Sequence, residues 1–320
     1  MAPTTSTTTT AASTTDPSIE VRGLRKTYGS TVAVDGLTFD VHPGEVTGFV
    51  GPNGSGKSTT MRAILGLDRP DAGSALVGGQ AYRTLRRPLT VLGALLDAGA
   101  VHPGRRARDH LRWMAQSNGL PARRVDEVLD QVGLASATRR RAGDLSLGMR
   151  QRLGVAAALL GDPPILLLDE PVNGLDPEGI AWMRDLLRAL AAQGRAVLLS
   201  SHLMSELEGI ADHLVVIGRG RLVADTTVRE MVAAASQARV EVRTIHKAAA
   251  MAALANAGAT VAAVADDLLT VDGLDSAAIA SALGAAGVAF SELRPHRASL
   301  EAAYMELTRD HAEFAATEPA

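Results

Sequence analysis

The chain of 320 residues contains no cysteine. That excludes a disulfide framework, a zinc–thiolate site, an iron–sulfur cluster and a cysteine nucleophile. It also lacks any apolar run near the roughly 20 residues that span a bilayer, so a membrane role would be peripheral. Charge of one sign is missing too. Lys plus Arg number 32 against 35 Asp plus Glu, a net −3, so no strong field draws the chain to nucleic acid and no nucleic-acid partner is expected. The N-terminus has neither the basic nor the apolar region of a secretory signal. Residues 1–17 are mostly Thr, Ser, Ala and Pro and read as a disordered tail; residues 311–320 read as a C-terminal tail. The whole chain is 46% hydrophobic and 21% charged, ordinary for a globular protein and long enough for two domains.

Short strands broken by turns are expected from Ile19 to Val50, with Gly29, Gly36, Pro43 and Gly44 as punctuation. Val46–Val50 reads as a buried strand, and Thr59–Leu67 as a helix with Met61, Ile64 and Leu65 on one face. Residues 98–160 read as mainly helical. Strands at Ile165–Leu168, Val197–Ser200 and Leu214–Ile217 alternate with a helix at Ile180–Ala192, the pattern of a mostly parallel α/β sheet. From residue 238 to 310 the order β-α-β-β-α-β suggests a small ferredoxin-like α+β domain, closed by a helix at Ser299–Leu307. It contains no cluster of carboxylates, His or Gly-rich loop, so no chemistry is expected there.

Two motifs carry the chemistry. Gly51-Pro52-Asn53-Gly54-Ser55-Gly56-Lys57-Ser58-Thr59 satisfies G-x-x-x-x-G-K-[ST]. Glycines let successive N–H groups face one phosphate, and the following helix points its positive end there. Lys57 reaches the β- and γ-phosphates as a point charge, and Ser58 offers a hydroxyl to Mg²⁺. The second motif, Ile165-Leu166-Leu167-Leu168-Asp169-Glu170, is an apolar strand ending in two carboxylates. It delivers them to the C-terminal edge of the sheet, where α/β ligands bind. Asp169 would hold Mg²⁺ and Glu170 would orient or deprotonate the attacking water. Together they specify a P-loop NTPase; no Asn-Lys-x-Asp guanine-reading motif occurs.

The segment Leu145-Ser146-Leu147-Gly148-Met149-Arg150-Gln151-Arg152 resembles the L-S-G-G-Q signature of ABC-type ATPases. Gly174-Leu175-Asp176-Pro177 resembles that family's D-loop and Ser200-Ser201-His202 its H-switch, while Tyr28 stands where the family stacks an aromatic on adenine. The resemblance covers residues 19–225. It implies a RecA-like core with an antiparallel β subdomain and a helical subdomain at about 98–160, within an ATP-binding domain over 18–230. It implies ATP and Mg²⁺ as cofactors and a second copy of the chain as partner, the two closing head to tail over two ATP molecules. Ser146 and Gly148 of one copy would complete the γ-phosphate cage of the other. His202 would hydrogen-bond the γ-phosphate, and Asp176 joins the nucleotide-binding set.

Leu147 and Met149 replace the usual Gly and Gln of the signature. Asp97, after Val91–Leu96, replaces the Gln of the Q-loop and is expected in the outer shell of the metal. These departures, with the segment Pro295–Glu301, resemble the branch serving drug and antibiotic exporters of the daunorubicin and bacitracin type. That resemblance implies export through a separately encoded permease at the cytoplasmic face of the membrane. The alternative is a soluble ABC ATPase of repair, translation or regulation. One local excess remains. Residues 83–152 hold 14 Arg and no Lys against 6 acidic residues, either a solvated helical face or a surface meeting anionic lipid or an acidic partner.

Overall fold

In the computed structural model the described residues are 16–236, 239–295 and 299–312. The expected tails fall largely outside them, as do positions 296–298 of the segment used above for the exporter resemblance.

The chain opens with β1 (Ile19–Tyr28) and β2 (Thr31–Val41), an antiparallel pair joined across Gly29. β3 (Val46–Val50) and α1 (Lys57–Ile64) follow, then β4 (Ala72–Val77), which returns to pair with β1. β5 (Leu92–Leu95) leads into three helices, α2 (Ala107–Ser117), α3 (Arg123–Gln131) and α4 (Leu147–Leu159). β6 (Ile165–Leu168), α5 (Pro177–Ala192), β7 (Ala196–Ser201), α6 (Met204–Leu207), β8 (His213–Gly218) and β9 (Arg221–Thr227) complete the core, with α7 (Val228–Ser236) beside it.

Two sheets result. β2-β1-β4 is antiparallel; β5-β6-β7-β3-β8-β9 is parallel except for β9, which runs against β8. The parallel strands are buried on both faces, so they read as unbroken apolar runs. In β6, Ile165 and Leu167 face the antiparallel sheet and α1, in a core that also holds Phe39, Phe49, Met61 and Ile64. Leu166 and Leu168 face the helical side, with Leu153, Met183 and Leu187. Phe39 and Phe49 stack at 5.2 Å between ring centroids. Burying side chains of this size stabilises by roughly 1.5–3 kcal/mol each.

The last part contains β10 (Arg239–Arg243), α8 (Lys247–Asn256), β11 (Thr260–Ala263), β12 (Leu268–Asp272), α9 (Ser276–Ala285) and β13 (Glu292–Pro295). The sheet order β11-β12-β10-β13, antiparallel throughout, is the ferredoxin-like arrangement. Its core is Val240, Val242, Leu254, Leu269, Val271, Ile279 and Leu283. α10 (Leu300–Ala312) departs from the expected grouping. Leu300 and Ala303 join the core of the ATP-binding part, beside Met231 of α7. The reason is apolar area: α7 presents Met231, Val232 and Ala235, which α10 covers. A boundary at residue 230 therefore falls inside α7, and the chain returns to its first domain after leaving it. No helix among the described residues is long and apolar enough to cross a membrane.

Candidate nucleotide-binding and hydrolysis site

The loop after β3 is built for an anion. Gly54 and Gly56 lie at φ 79° and 104°, which L side chains rarely adopt, and a Cβ on Gly56 would stand 2.5 Å from the carbonyl oxygen of Ala33. α1 starts with Gly56 as N-cap, without a side-chain cap and without an acid in its first turn. Its leading N–H groups thus have no side-chain acceptor, and together with the helix dipole they suit phosphate. Asn53 and Gly54 are exposed, Thr59 is half-buried, and Ser55, Gly56 and Lys57 are buried. The Ser55 hydroxyl has no hydrogen-bond partner among the described residues. Lys57 Nζ donates to the carbonyls of Gly51 and Pro52 at 2.6 and 3.2 Å. Burial pushes its ammonium pKa down, opposed by Glu170 and Asp169. It is a cation among weak acceptors, to which phosphate would be a stronger partner.

β5 and β7 flank β6, so the ends of three strands converge at the carboxylates. The Asp169 N–H donates to the Leu95 carbonyl at 2.7 Å. Ser58 Oγ donates to Asp169 Oδ2 at 2.9 Å, and Ser200 Oγ donates to Asp169 Oδ1. Glu170 stands at φ 45°, a left-handed conformation costing a non-glycine residue about 1–2 kcal/mol. Its N–H donates to Ser200 Oγ at 2.9 Å and its carbonyl accepts from Gln151 Nε2 at 3.0 Å. Its carboxylate meets His202 Nδ1 at 3.0 Å and accepts from Asn173 Nδ2 at 3.2 Å. The two expected catalytic groups, Glu170 and His202, thus lie together, one aligned by the other. A carboxylate oriented in this way can take a proton from water.

A hydroxyl and a carboxylate oxygen, Ser58 and Asp169, are the hard donors Mg²⁺ prefers. Among the described residues no group of three His, Cys, Asp or Glu side chains could hold a metal alone. The donor set therefore fits an ion that shares its shell with phosphate and water. Asp97, expected near that ion, is not gathered in. Its Oδ1 accepts from the Gly99 N–H at 2.6 Å, and it makes no hydrogen bond to Ser58, Asp169 or Glu170. The short side chain bends to the backbone two residues on, where a Gln would reach further.

Tyr28 is 46% exposed, and its hydroxyl donates to Asp68 Oδ2 at 2.6 Å. Asp68 is held at about 2 by hydrogen bonds from Arg62, then from Tyr28. The ring is pinned through its hydroxyl, and Lys26 Nζ lies over it at 5.3 Å from the centroid; an adenine would stack on the ring's other face.

Ser146, Gly148 and Asp176 occupy another lobe. Ser146 is the N-cap of α4, its Oγ accepting from the Met149 N–H at 3.2 Å. Asp176 is the N-cap of α5, accepting from the Gly179 N–H at 2.8 Å. The structure gives Asp176 the work of a helix cap. All three line an open groove with Leu147, Gly174 and Leu175. Leu147 lies over Gly174, where a Cβ would be 2.1 Å from Leu147 Cδ2; this substitution is accommodated by the bare glycine. No hydrogen bond among the described residues joins Ser146 or Gly148 to residues 51–59. Ser200, Asn173 and Gln151 carried no role in the sequence reading. Ser200 and Gln151 sit inside quoted motifs, but their partners come from other strands and helices.

Residues 34–173 match the family model described as ABC transporter, and residues 238–301 match a domain of unknown function. An uncharacterised ABC transporter ATP-binding protein of Bacillus subtilis is 37% identical over 73% of this chain and 77% of its own length. The bacitracin transport ATP-binding protein of Bacillus licheniformis is 40% identical over 65% of this chain and 69% of its own. A solved ATP-binding subunit of an ABC transporter superposes with a TM-score of 0.61 at 28% identity, covering 67% of this chain and 91% of that one. With the phosphate loop, the paired carboxylates and the signature helix in place, this chain belongs to the ATP-binding subunits of ABC transporters and is an ABC-type ATPase.

Proposed function

We propose that the chain powers export of an antibiotic-like compound through a separately encoded permease, two copies closing head to tail over two MgATP. The observation that carries the reading is the joint placement of Ser58, Asp169, Glu170 and His202 in one cluster, while among the described residues Ser146 and Gly148 make no hydrogen bond to it. A second copy brings the two together. Lys57, the amides of residues 53–59 and Tyr28 bind ATP, with Ser58 and Asp169 holding Mg²⁺. The ion supplies charge neutralisation for the phosphates when bound. Glu170 would orient water and accept its proton, and His202, which meets the carboxylate at 3.0 Å, would hydrogen-bond the γ-phosphate. The antibiotic class follows the bacitracin relative. The relatives named above are transport subunits, which favours export over a soluble ATPase of repair or translation.

A basic surface fits the permease. Residues 105–108 and 139–142 run antiparallel, bonded through Ala107 N–H to the Arg140 carbonyl and Ala142 N–H to the Arg105 carbonyl. This sets Arg105, Arg106, Arg139, Arg140 and Arg141 side by side, with Arg105 over the exposed Trp113 at 5.0 Å. An acidic cytoplasmic segment is its complement, and docking there places the chain peripherally at the cytoplasmic face. The test is affinity purification of the tagged chain from solubilised membranes. Recovery of a multi-span membrane protein, lost with Arg139→Glu/Arg141→Glu, is expected; recovery of the chain alone in both cases would end the transport reading.

A further inference from the structure

We propose that Gln151 is a positioning residue for hydrolysis: its side-chain amide fixes the backbone of Glu170 and so aims the catalytic carboxylate. The proposal rests on Glu170 being the base. Glu170 occupies a left-handed conformation, φ 45°, which persists in a non-glycine residue only where its surroundings over-determine it. Those surroundings are three. The Ser200 hydroxyl takes the Glu170 N–H at 2.9 Å. The Asn173 N–H closes a turn onto the Glu170 carbonyl at 3.2 Å. Gln151 Nε2 donates to the same carbonyl at 3.0 Å.

Ser200 and Asn173 belong to the strand beside Glu170 and the turn that follows it. Gln151 comes from elsewhere, the second turn of α4, and is 6% exposed. A carbonyl only accepts, so the amide must present its nitrogen. Gln151 is therefore the link between the catalytic turn and the helix whose N-cap is Ser146. Any tilt of α4 pulls on the Glu170 carbonyl through a bond of fixed length. A displacement near 1 Å at a catalytic group can cost on the order of 10²-fold in rate, so a modest slackening is legible in turnover. The Asn173 N–H still satisfies the carbonyl when Gln151 is replaced, so the variant folds.

The experiment is a double-mutant cycle on the full chain, measuring single-turnover ATP hydrolysis for wild type, Gln151→Met, Glu170→Gln and the pair. Gln151→Met keeps length and apolar contact and removes the donor. The expected result is a loss of about tenfold in rate with the ATP half-saturation moving less than about twofold. In the Glu170→Gln background the further loss should be under about twofold, because no base is left to aim. Gln151→Leu, apolar and without a donor, should behave like Gln151→Met and replaces it if that variant is unfolded by circular dichroism. An equal loss in both backgrounds means a structural role and overturns the proposal, as does an unchanged rate in Gln151→Met. If instead Glu170→Gln alone retains the wild-type rate, it is the assignment of the base that fails.

Discussion

Two helix N-termini in this molecule are made differently. α1 begins after Gly56 with no side-chain cap, and its leading amides are left for a ligand. α4 begins at Ser146, whose hydroxyl already accepts from its own helix. The first end is a finished anion cradle with Lys57 and the Ser58–Asp169 pair around it. The second has its Met149 N–H capped without any ligand, yet its Ser146 O–H remains able to donate, because a hydroxyl accepts and donates at once. On the proposed reading, the first end binds phosphate by itself, and the second contributes only when another copy carries phosphate to it.

The largest effect sharpens the first half of that contrast. Glu170→Gln removes the proton acceptor and leaves the cradle, so hydrolysis should fall on the order of 10²-fold or more while ATP binding, read by fluorescence of a labelled nucleotide, is retained. Wild-type turnover would remove Glu170 from the chemistry. Ser146→Ala addresses the second half. It should weaken ATP-driven dimerisation on size exclusion by about tenfold, the scale of one charge-assisted hydrogen bond, and leave ATP binding by the isolated subunit unchanged. Equal losses in both would erase the difference between the two ends.

Legibility in the sequence divides along the same line. The phosphate loop, Asp169 and Glu170 were readable because each works through a local motif, a strand running into a turn. The partners that hold Glu170 were not, since Ser200, Asn173 and Gln151 act on it from a neighbouring strand, its own turn and another helix. The β-α-β-β-α-β order of the C-terminal unit shows in its alternation. What failed was α10. Its amphipathic pattern says that one face must be covered, and says nothing of which domain covers it. Asp97 is a case of reach: residue type suggests a third carboxylate in the outer shell of the metal, and the structure shows the short side chain accepting from the Gly99 N–H.

Smaller effects follow. Tyr28→Ala should weaken ATP binding by about fivefold, from a stacking contribution near 1 kcal/mol, with the rate at saturating ATP unchanged; Tyr28→Phe should keep the ring and lose only the tether to Asp68. Asp97→Gln should shift the Mg²⁺ half-saturation of hydrolysis by less than about twofold, since the carboxylate is spent on a turn; a large shift would return Asp97 to the metal. The least effect concerns the sheet edge. The hydrogen bond from His213 to Asp225 raises the histidine pKa above 6.5. A raised pKa gives stability that is full below 6.5 and is lost as pH rises through the folded value. Wild type should therefore melt above His213→Gln at pH below 6.5, with the gap closing in alkali.

The central claim is that the two helix ends form one site across two copies. It is tested by mixing Lys57→Ala with Ser146→Ala protein and assaying hydrolysis. Each variant alone has both sites damaged. In a head-to-tail mixed dimer, one site combines the intact loop of the second variant with the intact signature of the first. Half of random dimers are mixed and each holds one whole site, so activity should return to about a quarter of wild type. A mixture no more active than the average of its two components would mean that each chain completes its own site, and would contradict the account.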